Sequence, residues 1–410
     1  MNADVVVVGA GIIGSSIGYQ LKRHGVERVV LLDKGIGPAE GSTGASSSIC
    51  RCRYTNPEVV RLAFHGQEAY GNWDEFLQLS ETRSGLHRPG VLWMMGESVE
   101  KVDADVTKLR SQGVAAETVR PEQLSGLFPA LSNCTAPFDM TGEIEHVCSS
   151  EGAFLFESEG GYADPVGANQ DLLDAARKAG VDVRFGSRVV DVRTSGGAVN
   201  GVALSDGTVI GADLVINAAG PWCNQLNQMA GADLRWTLTP TRIQTVYREW
   251  PAHLGQLPVG ADTSTGIYFR PESGGQQVLV GSVLPEDEEE IVDDPDSFKR
   301  SPDTEFTALK LAAFHHRIPA LEPRGNVSGV AGLYTINRED VHPVVGPTGV
   351  DNFWVANGFS GHGFKLAPAV GSMLAQAVSG ISMDLDTDVP MSFFAVDRDP
   401  IGVETKSVLA

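Results

Sequence analysis

The chain opens with Asp4-Val5-Val6-Val7-Val8, a short apolar β-branched run of the kind that forms a parallel strand buried on both faces. The run breaks into Gly9-Ala10-Gly11-Ile12-Ile13-Gly14. Ser15 to His24 then carries helical spacing and stops at Gly25, and Val29-Val30-Leu31-Leu32 predicts a second strand ending in Asp33. Residues 58–79 keep helical periodicity and include Trp73. Between 86 and 149 the pattern is mixed, with a strand at Val91-Leu92-Trp93-Met94-Met95 and a helix near 99–112. Gly160-Gly161-Tyr162-Ala163-Asp164-Pro165 marks a sharper boundary before an amphipathic helix from Val166 to Ala179. Strands at 181–185 and 189–192 precede a hairpin that turns at Asp206-Gly207, a pair suited to a two-residue turn. Asp213 to Asn217 is a further buried strand, running into Ala218-Ala219-Gly220-Pro221-Trp222. From about 231 to 324 the alternation lengthens, and its acidic insertion at 286–296 reads as a solvated loop. Phe353 to Asn357 is the last strand, and Gly358-Phe359-Ser360-Gly361-His362-Gly363-Phe364-Lys365 turns into a helix reaching about Val378.

Nucleotide-binding-like βα segments thus recur in 1–85, 150–230 and 325–400. They predict a mixed α/β fold with one discontinuous Rossmann-like domain, into which 86–149 and 231–324 insert an antiparallel β-rich substrate domain. A chain of 410 residues is long enough for that division. Its 31 basic and 52 acidic residues leave a net charge of −21, which argues against nucleic acid or an anionic membrane as partner. The five cysteines are an odd number and imply no disulfide framework. Cys50-x-Cys52 reads as buried thiols, so no metal site is expected. No apolar run approaches the ~20 residues of a membrane span. A first strand starting at residue 4 leaves no room for a cleavable leader, so a cytoplasmic protein is expected.

The strongest chemical signal is at the N-terminus. Gly9 permits the tight turn, Gly11 lets backbone approach a pyrophosphate, and Gly14 lets the helix pack on the strand; Ile12 and Ile13 head that helix. The helix N-terminus favours anions. Asp33, about 20 residues on, stands where a carboxylate accepts hydrogen bonds from a ribose, with Lys34 beside it. Gly41-Ser42-Thr43, Ser47 and Ser48 lie in a loop of small residues placed to touch the cofactor. A nicotinamide enzyme normally completes its site in one continuous domain. Glycine-rich turns from three distant segments suit a long, permanently held FAD better than an exchanging NAD.

On these residues the chain resembles the D-amino-acid oxidase superfamily, in the branch of sarcosine oxidase, glycine oxidase and dimethylglycine dehydrogenase. The carriers are the N-terminal fingerprint with Asp33, the Gly41-Ser42-Thr43 loop, Asp213 to Trp222, and above all Gly358 to Lys365. The resemblance implies an FAD domain of glutathione-reductase type and adds Val189, Ala218, Gly220, Trp222, Gly332, Gly358, Ser360, Gly361, His362, Gly363 and Phe364 as cofactor contacts. In the family the octapeptide's amides face the flavin pyrimidine, where reduction places negative charge. Gly332 stands where sarcosine oxidases carry a flavin-linking cysteine, and Ala45 where dimethylglycine dehydrogenases carry a linking histidine, so FAD is expected to be noncovalent.

The resemblance also makes Arg51 and Lys365 the clamp for a substrate carboxylate, a planar fork and a point charge. Arg53 would share a face with Arg51 in an extended segment and is a second possible anchor. Ser48 replaces a second arginine of the relatives. Tyr268 and Tyr334 match tyrosines lining the substrate side, and His362 is expected beside the cofactor rather than as a base. The implied reaction oxidises a C–N bond of a small amino acid or sarcosine-like N-methyl amine, by hydride transfer to flavin N5 and imine hydrolysis, with demethylation in the N-methyl case. Leu279 falls where oxidases carry an oxygen-activating lysine, which favours a dehydrogenase using a quinone or an electron-transfer protein. The alternatives are a glycine- or D-amino-acid-type oxidase making hydrogen peroxide, a flavin-binding subunit of a heteromeric amine dehydrogenase, and a nicotinamide-dependent dehydrogenase.

Overall fold

The structure, a computed structural model, describes residues 2–139, 142–403, 406, 407 and 409. The strand Asn2–Val8 lies inside the first of two large sheets, paired in parallel with Val209–Asn217 and Val29–Leu32. Its valines face both ways: Val5 and Val7 join a core shared with helices, while Ala3, Val6 and Val8 join a separate core on the far side. That is why the run is continuously apolar. The sheet order is Val344–Pro347, Phe353–Asn357, Val209–Asn217, Asn2–Val8, Val29–Leu32, Asp182–Arg184, with the hairpin Val189–Ser195 and Ala198–Leu204 hung on Val209–Asn217.

Three helices cover one face. Ile12–Arg23 packs against both Pro165–Ala179 and Gly363–Ser379. Asp164 caps Pro165–Ala179 by accepting from the Val166 amide, and Gly180 ends it at φ 97°. The helix Gly363–Ser379 contains Pro368, which removes the bond that would reach the Phe364 carbonyl. The Tyr70 hydroxyl donates to that carbonyl instead, at 2.9 Å, and its ring stacks on Phe364 at 4.7 Å. Gly66 lets the helix Pro57–Gly71 touch the same turn, since a Cβ there would lie 1.8 Å from the Lys365 carbonyl oxygen. Lys365 is thereby fixed from two sides.

The second sheet runs Val327–Asn337, Leu238–Glu249, Gln277–Ser282, Ile267–Glu272, Val259–Asp262, Val91–Glu97, Ala153–Glu157, Ala116–Val119. All its pairs are antiparallel except Val259–Asp262 with Val91–Glu97. Ala153–Glu157 and Val327–Asn337 correct the sequence-based boundaries, which put 150–230 and 325–400 wholly with the nucleotide-binding segments. Both strands begin next to a domain crossing, where local periodicity reports burial but not the pairing partner. The helix Thr304–Arg317 sits within the stretch read as β-rich. The acidic insertion is also more anchored than a solvated loop: Glu288 is buried, Asp287 pairs with Lys310 at 2.6 Å, and Asp296 pairs with Arg188 at 3.0 Å. No helix among the described residues is long and apolar enough to cross a membrane.

Candidate active site

The glycine turn forms a cradle that side chains cannot occupy. Gly9 has φ 108°, and a Cβ on it would meet the Ala218 carbonyl oxygen at 2.4 Å; a Cβ on Gly14 would lie 1.8 Å from the Gly9 carbonyl oxygen. Around it, Thr43 Oγ1 accepts from the Ile12 amide at 3.0 Å, and Asp33 accepts from the Ala10 and Gly35 amides, each at 2.7 Å. Asp33 therefore sits at the lip of the cradle. The segment leading to Val189 crosses beside it, the Ser187 amide donating to the Asp33 carbonyl at 2.7 Å. Ser42 Oγ is buried without a hydrogen-bond partner among the described residues. An orphaned hydroxyl next to a cradle cleared of side chains fits a bound dinucleotide.

Lys34 and Trp222 have a different setting. The Lys34 ammonium lies 3.8 Å from the Trp222 ring centre and pairs with Asp296, to which the Trp222 indole donates at 3.0 Å. Trp222 also covers Gly41, at 3.5 Å from a Cβ built there. These residues join the acidic insertion to the small-residue loop. Lys34 is engaged at that seam, while Gly220, at φ 52°, begins the turn that presents Trp222.

The octapeptide closes the other end. Gly358, Ser360 and Gly361 all have positive φ, at 74°, 47° and 85°. The Ser360 amide donates to the Thr335 carbonyl at 3.0 Å and its hydroxyl accepts from the Asn337 amide at 2.9 Å, tying the turn to the strand Val327–Asn337. A Cβ on Gly361 would strike the Tyr334 ring at 2.6 Å, and one built on Gly363 would lie 3.7 Å from Ile13 Cδ1. The N-terminal cradle and the helix beginning at Gly363 therefore meet. His362 is fully buried between the rings of Tyr54, at 5.3 Å, and His342, at 6.1 Å. Gly332 faces Ala45, whose Cβ lies 2.5 Å from a Cβ built on the glycine. The two positions expected to mark covalent attachment thus come together.

Between the two sheets opens a cavity with Ser47, Ser48, Arg51, Trp93, Tyr268, Tyr334, Gly361, Phe364 and Lys365 in its lining. Arg51 is 5% exposed, its guanidinium between the rings of Tyr54 at 4.2 Å and Trp93 at 5.0 Å, and it donates to the Arg53 carbonyl. Lys365 is 4% exposed. Burial, reinforced by the Arg51 charge, pulls its ammonium down to about 7. Tyr268 shares a hydrogen bond with Ser47 Oγ at 2.6 Å, and burial pushes its phenol up to about 12. Burial raises the Tyr334 phenol as well, so both tyrosines are neutral at physiological pH. Ser48 adopts φ 49° and turns its hydroxyl onto the Ala163 carbonyl, away from an anion-binding role.

Arg53 is not a second substrate anchor. Residues 51–54 are not a strand, and the Arg53 guanidinium points elsewhere, onto Glu97 at 2.7 Å and Asp105 at 2.8 Å. Sequence reasoning missed Glu157, a fully buried carboxylate at the end of Ala153–Glu157. It accepts from the amides of Cys52 at 2.6 Å and Arg53 at 3.1 Å and from the Trp93 indole at 2.8 Å, which fixes the loop that aims Arg51. Burial raises its acid, opposed by these donors and by Arg51. A lone Glu closing an apolar strand carries no sequence signal of this role.

Residues 4–377 match the family described as FAD dependent oxidoreductase. The chain belongs to that family. It is 30% identical over 413 residues to the FAD-dependent oxidoreductase domain-containing protein 1 of Bos taurus, covering 92% of this chain and 81% of that protein. It is 28% identical to the peroxisomal sarcosine oxidase of Homo sapiens, covering 97% and 96% of the two chains. The fold matches that of L-proline dehydrogenase from P. horikoshii with a TM-score of 0.79 at 22% identity, over 96% of this chain and 97% of that one. As a member of the family the chain is an FAD-binding oxidoreductase. The residues around the Gly9–Gly14 cradle and the Gly358–Lys365 turn are those suited to hold the cofactor.

Proposed function

We propose that this chain oxidises the C–N bond of a small amino acid or N-methyl amino acid of the sarcosine type, with FAD held noncovalently. The observation that carries the reading is the pairing of Arg51 and Lys365 in one cavity walled by Trp93, Tyr268 and Tyr334. Two buried cations beside aromatic walls suit a small carboxylate with an apolar substituent. FAD, when bound, supplies the acceptor for the hydride released from the carbon next to nitrogen. Arg51 and Lys365 bind and orient the acid, Glu157 holds the Arg51 loop, and Tyr268 and Tyr334 confine the amine and exclude water. The likeness to a protein named sarcosine oxidase supports the substrate class.

The electron acceptor is proposed to be a quinone or an electron-transfer protein. Leu279 is fully buried on the Tyr268 side of its strand and packs on Tyr268 and Val283. Its cross-strand neighbour Arg270 is committed to the Ser47 carbonyl at 2.6 Å and to Glu272 at 2.7 Å. An apolar Leu279 offers nothing to a nascent superoxide. Anaerobic titration of the holoenzyme with N-methylated, D- and cyclic amino acids tests the substrate class by loss of the flavin's visible absorbance. Bleaching by a sarcosine-like compound is expected, and bleaching by none of them overturns the reading. After acid denaturation, the flavin should separate from the polypeptide; co-migration would show a covalent bond.

A further inference from the structure

From the end of the helix Pro121–Leu127 to the strand Ala153–Glu157, the described residues form no helix or strand. Such a long irregular stretch needs anchors of another kind. Cys134, His146 and His316 converge there, with Cys148 at the edge of the group beside His146. Cys134 Sγ lies 3.3 Å and Cys148 Sγ 3.4 Å from His146 Nε2. His316, from the end of Thr304–Arg317, brings a ring nitrogen that lies, with the Cys134 and His146 ligand atoms, within a 4.8 Å group. We infer that Cys134, His146, Cys148 and His316 bind a zinc ion that staples this loop to the substrate sheet.

Tetrahedral zinc with Zn–S of about 2.3 Å and Zn–N of about 2.0 Å separates ligand atoms by roughly 3.3–3.8 Å. The His146 distances to both sulfurs fall in that range. His146 Nδ1 faces the Pro137 carbonyl at 3.2 Å, which fixes the tautomer that leaves Nε2 free to ligate. His316 Nε2 is buried with no hydrogen-bond partner among the described residues. A single cation therefore joins the His316 imidazole to His146 and the two thiols beside it. Two thiolates and two neutral imidazoles balance a divalent charge, and this donor set selects zinc.

The surroundings hold the ligands in place. Arg317, next to His316, donates to the carbonyls of Ser132 at 2.6 Å and Cys134 at 2.8 Å and pairs with the buried Asp262 at 2.7 Å. Phe138 stacks on the His316 ring at 4.2 Å. Asp262 ends the strand whose Val259, Gly260 and Ala261 line the substrate cavity. With four protein ligands the site has no open position, so its role is structural.

The test is elemental analysis of untagged, FAD-loaded enzyme equilibrated with zinc and passed over a desalting column. About one zinc per chain is expected. Cys148→Ser and His316→Ala, at the less buried ligands, should lose it while keeping FAD and should melt at lower temperature than the wild type. Cobalt in place of zinc should give tetrahedral ligand-field bands in the red, clear of the flavin. Metal-free wild type, a Cys134–Cys148 disulfide found by mass spectrometry, another metal at stoichiometry, or full zinc retention in both variants overturns the site.

Discussion

At the scale of the residue, Lys365 decides how the site responds to pH. Its ammonium, pulled down to about 7 by burial and by Arg51, is charged below that value and neutral above it. In the proposed clamp a carboxylate ligand binds the charged form, so its affinity is fully present below pH 7 and is lost as pH rises through and beyond it. Propionate, which has no amine to titrate, should perturb the flavin spectrum with a Kd that rises up to about tenfold per pH unit above pH 7. Lys365→Met should flatten that profile; a flat profile in the wild type would show that Lys365 does not meet the acid. Leu279→Lys should speed reoxidation of the reduced flavin by oxygen, read in air-saturated buffer. A wild type that already reoxidises at its turnover rate with stoichiometric peroxide would make it an oxidase and sink the role given to Leu279. That Arg51 and Lys365 line one cavity was legible because each lies within or near a specific motif. Glu157 was not, because its burial depends on a loop that crosses it from about a hundred residues away in sequence.

At the scale of the element, the N-terminal strand, glycine turn and helix were readable because every local signal agreed: β-branched run, turn glycines, helical spacing and a stop at Gly25. Gly14→Ala should abolish FAD binding, since its Cβ would lie 1.8 Å from the Gly9 carbonyl oxygen, both of them backbone-fixed. The flavin-to-protein ratio after gel filtration checks this, and a fully loaded variant would contradict the cradle. Legibility failed where pairing is long-range. Ala153–Glu157 and Val327–Asn337 look like any other strand locally, yet pair in the second sheet. The predicted helix over 58–79 divides at Asn72 into Pro57–Gly71 and Trp73–Leu77. The acidic insertion looked solvated because its partners, Lys34, Arg188, Arg242 and Lys310, are scattered through the sequence.

At the scale of the whole molecule, the site exists only where the two sheets meet. The helix Gly363–Ser379 on the first contributes Lys365, the segment after the short strand Ile49–Cys50, paired with Gly161–Tyr162, contributes Arg51, and the second contributes Trp93, Tyr268 and Tyr334 from its strands. Against a net charge of −21, Arg51 and Lys365 in one cavity are a local exception, and that contrast is the proposed basis for selecting an anionic substrate. The most direct test is the anaerobic rate of flavin reduction by sarcosine and by dimethylamine, its counterpart without the carboxylate, in the wild type, Arg51→Ala and Lys365→Met. The wild type should prefer sarcosine, and each variant should lose about 2–5 kcal/mol of that preference while keeping its FAD. Equal rates for the two amines in the wild type, or an undiminished preference in both variants, would contradict the carboxylate clamp.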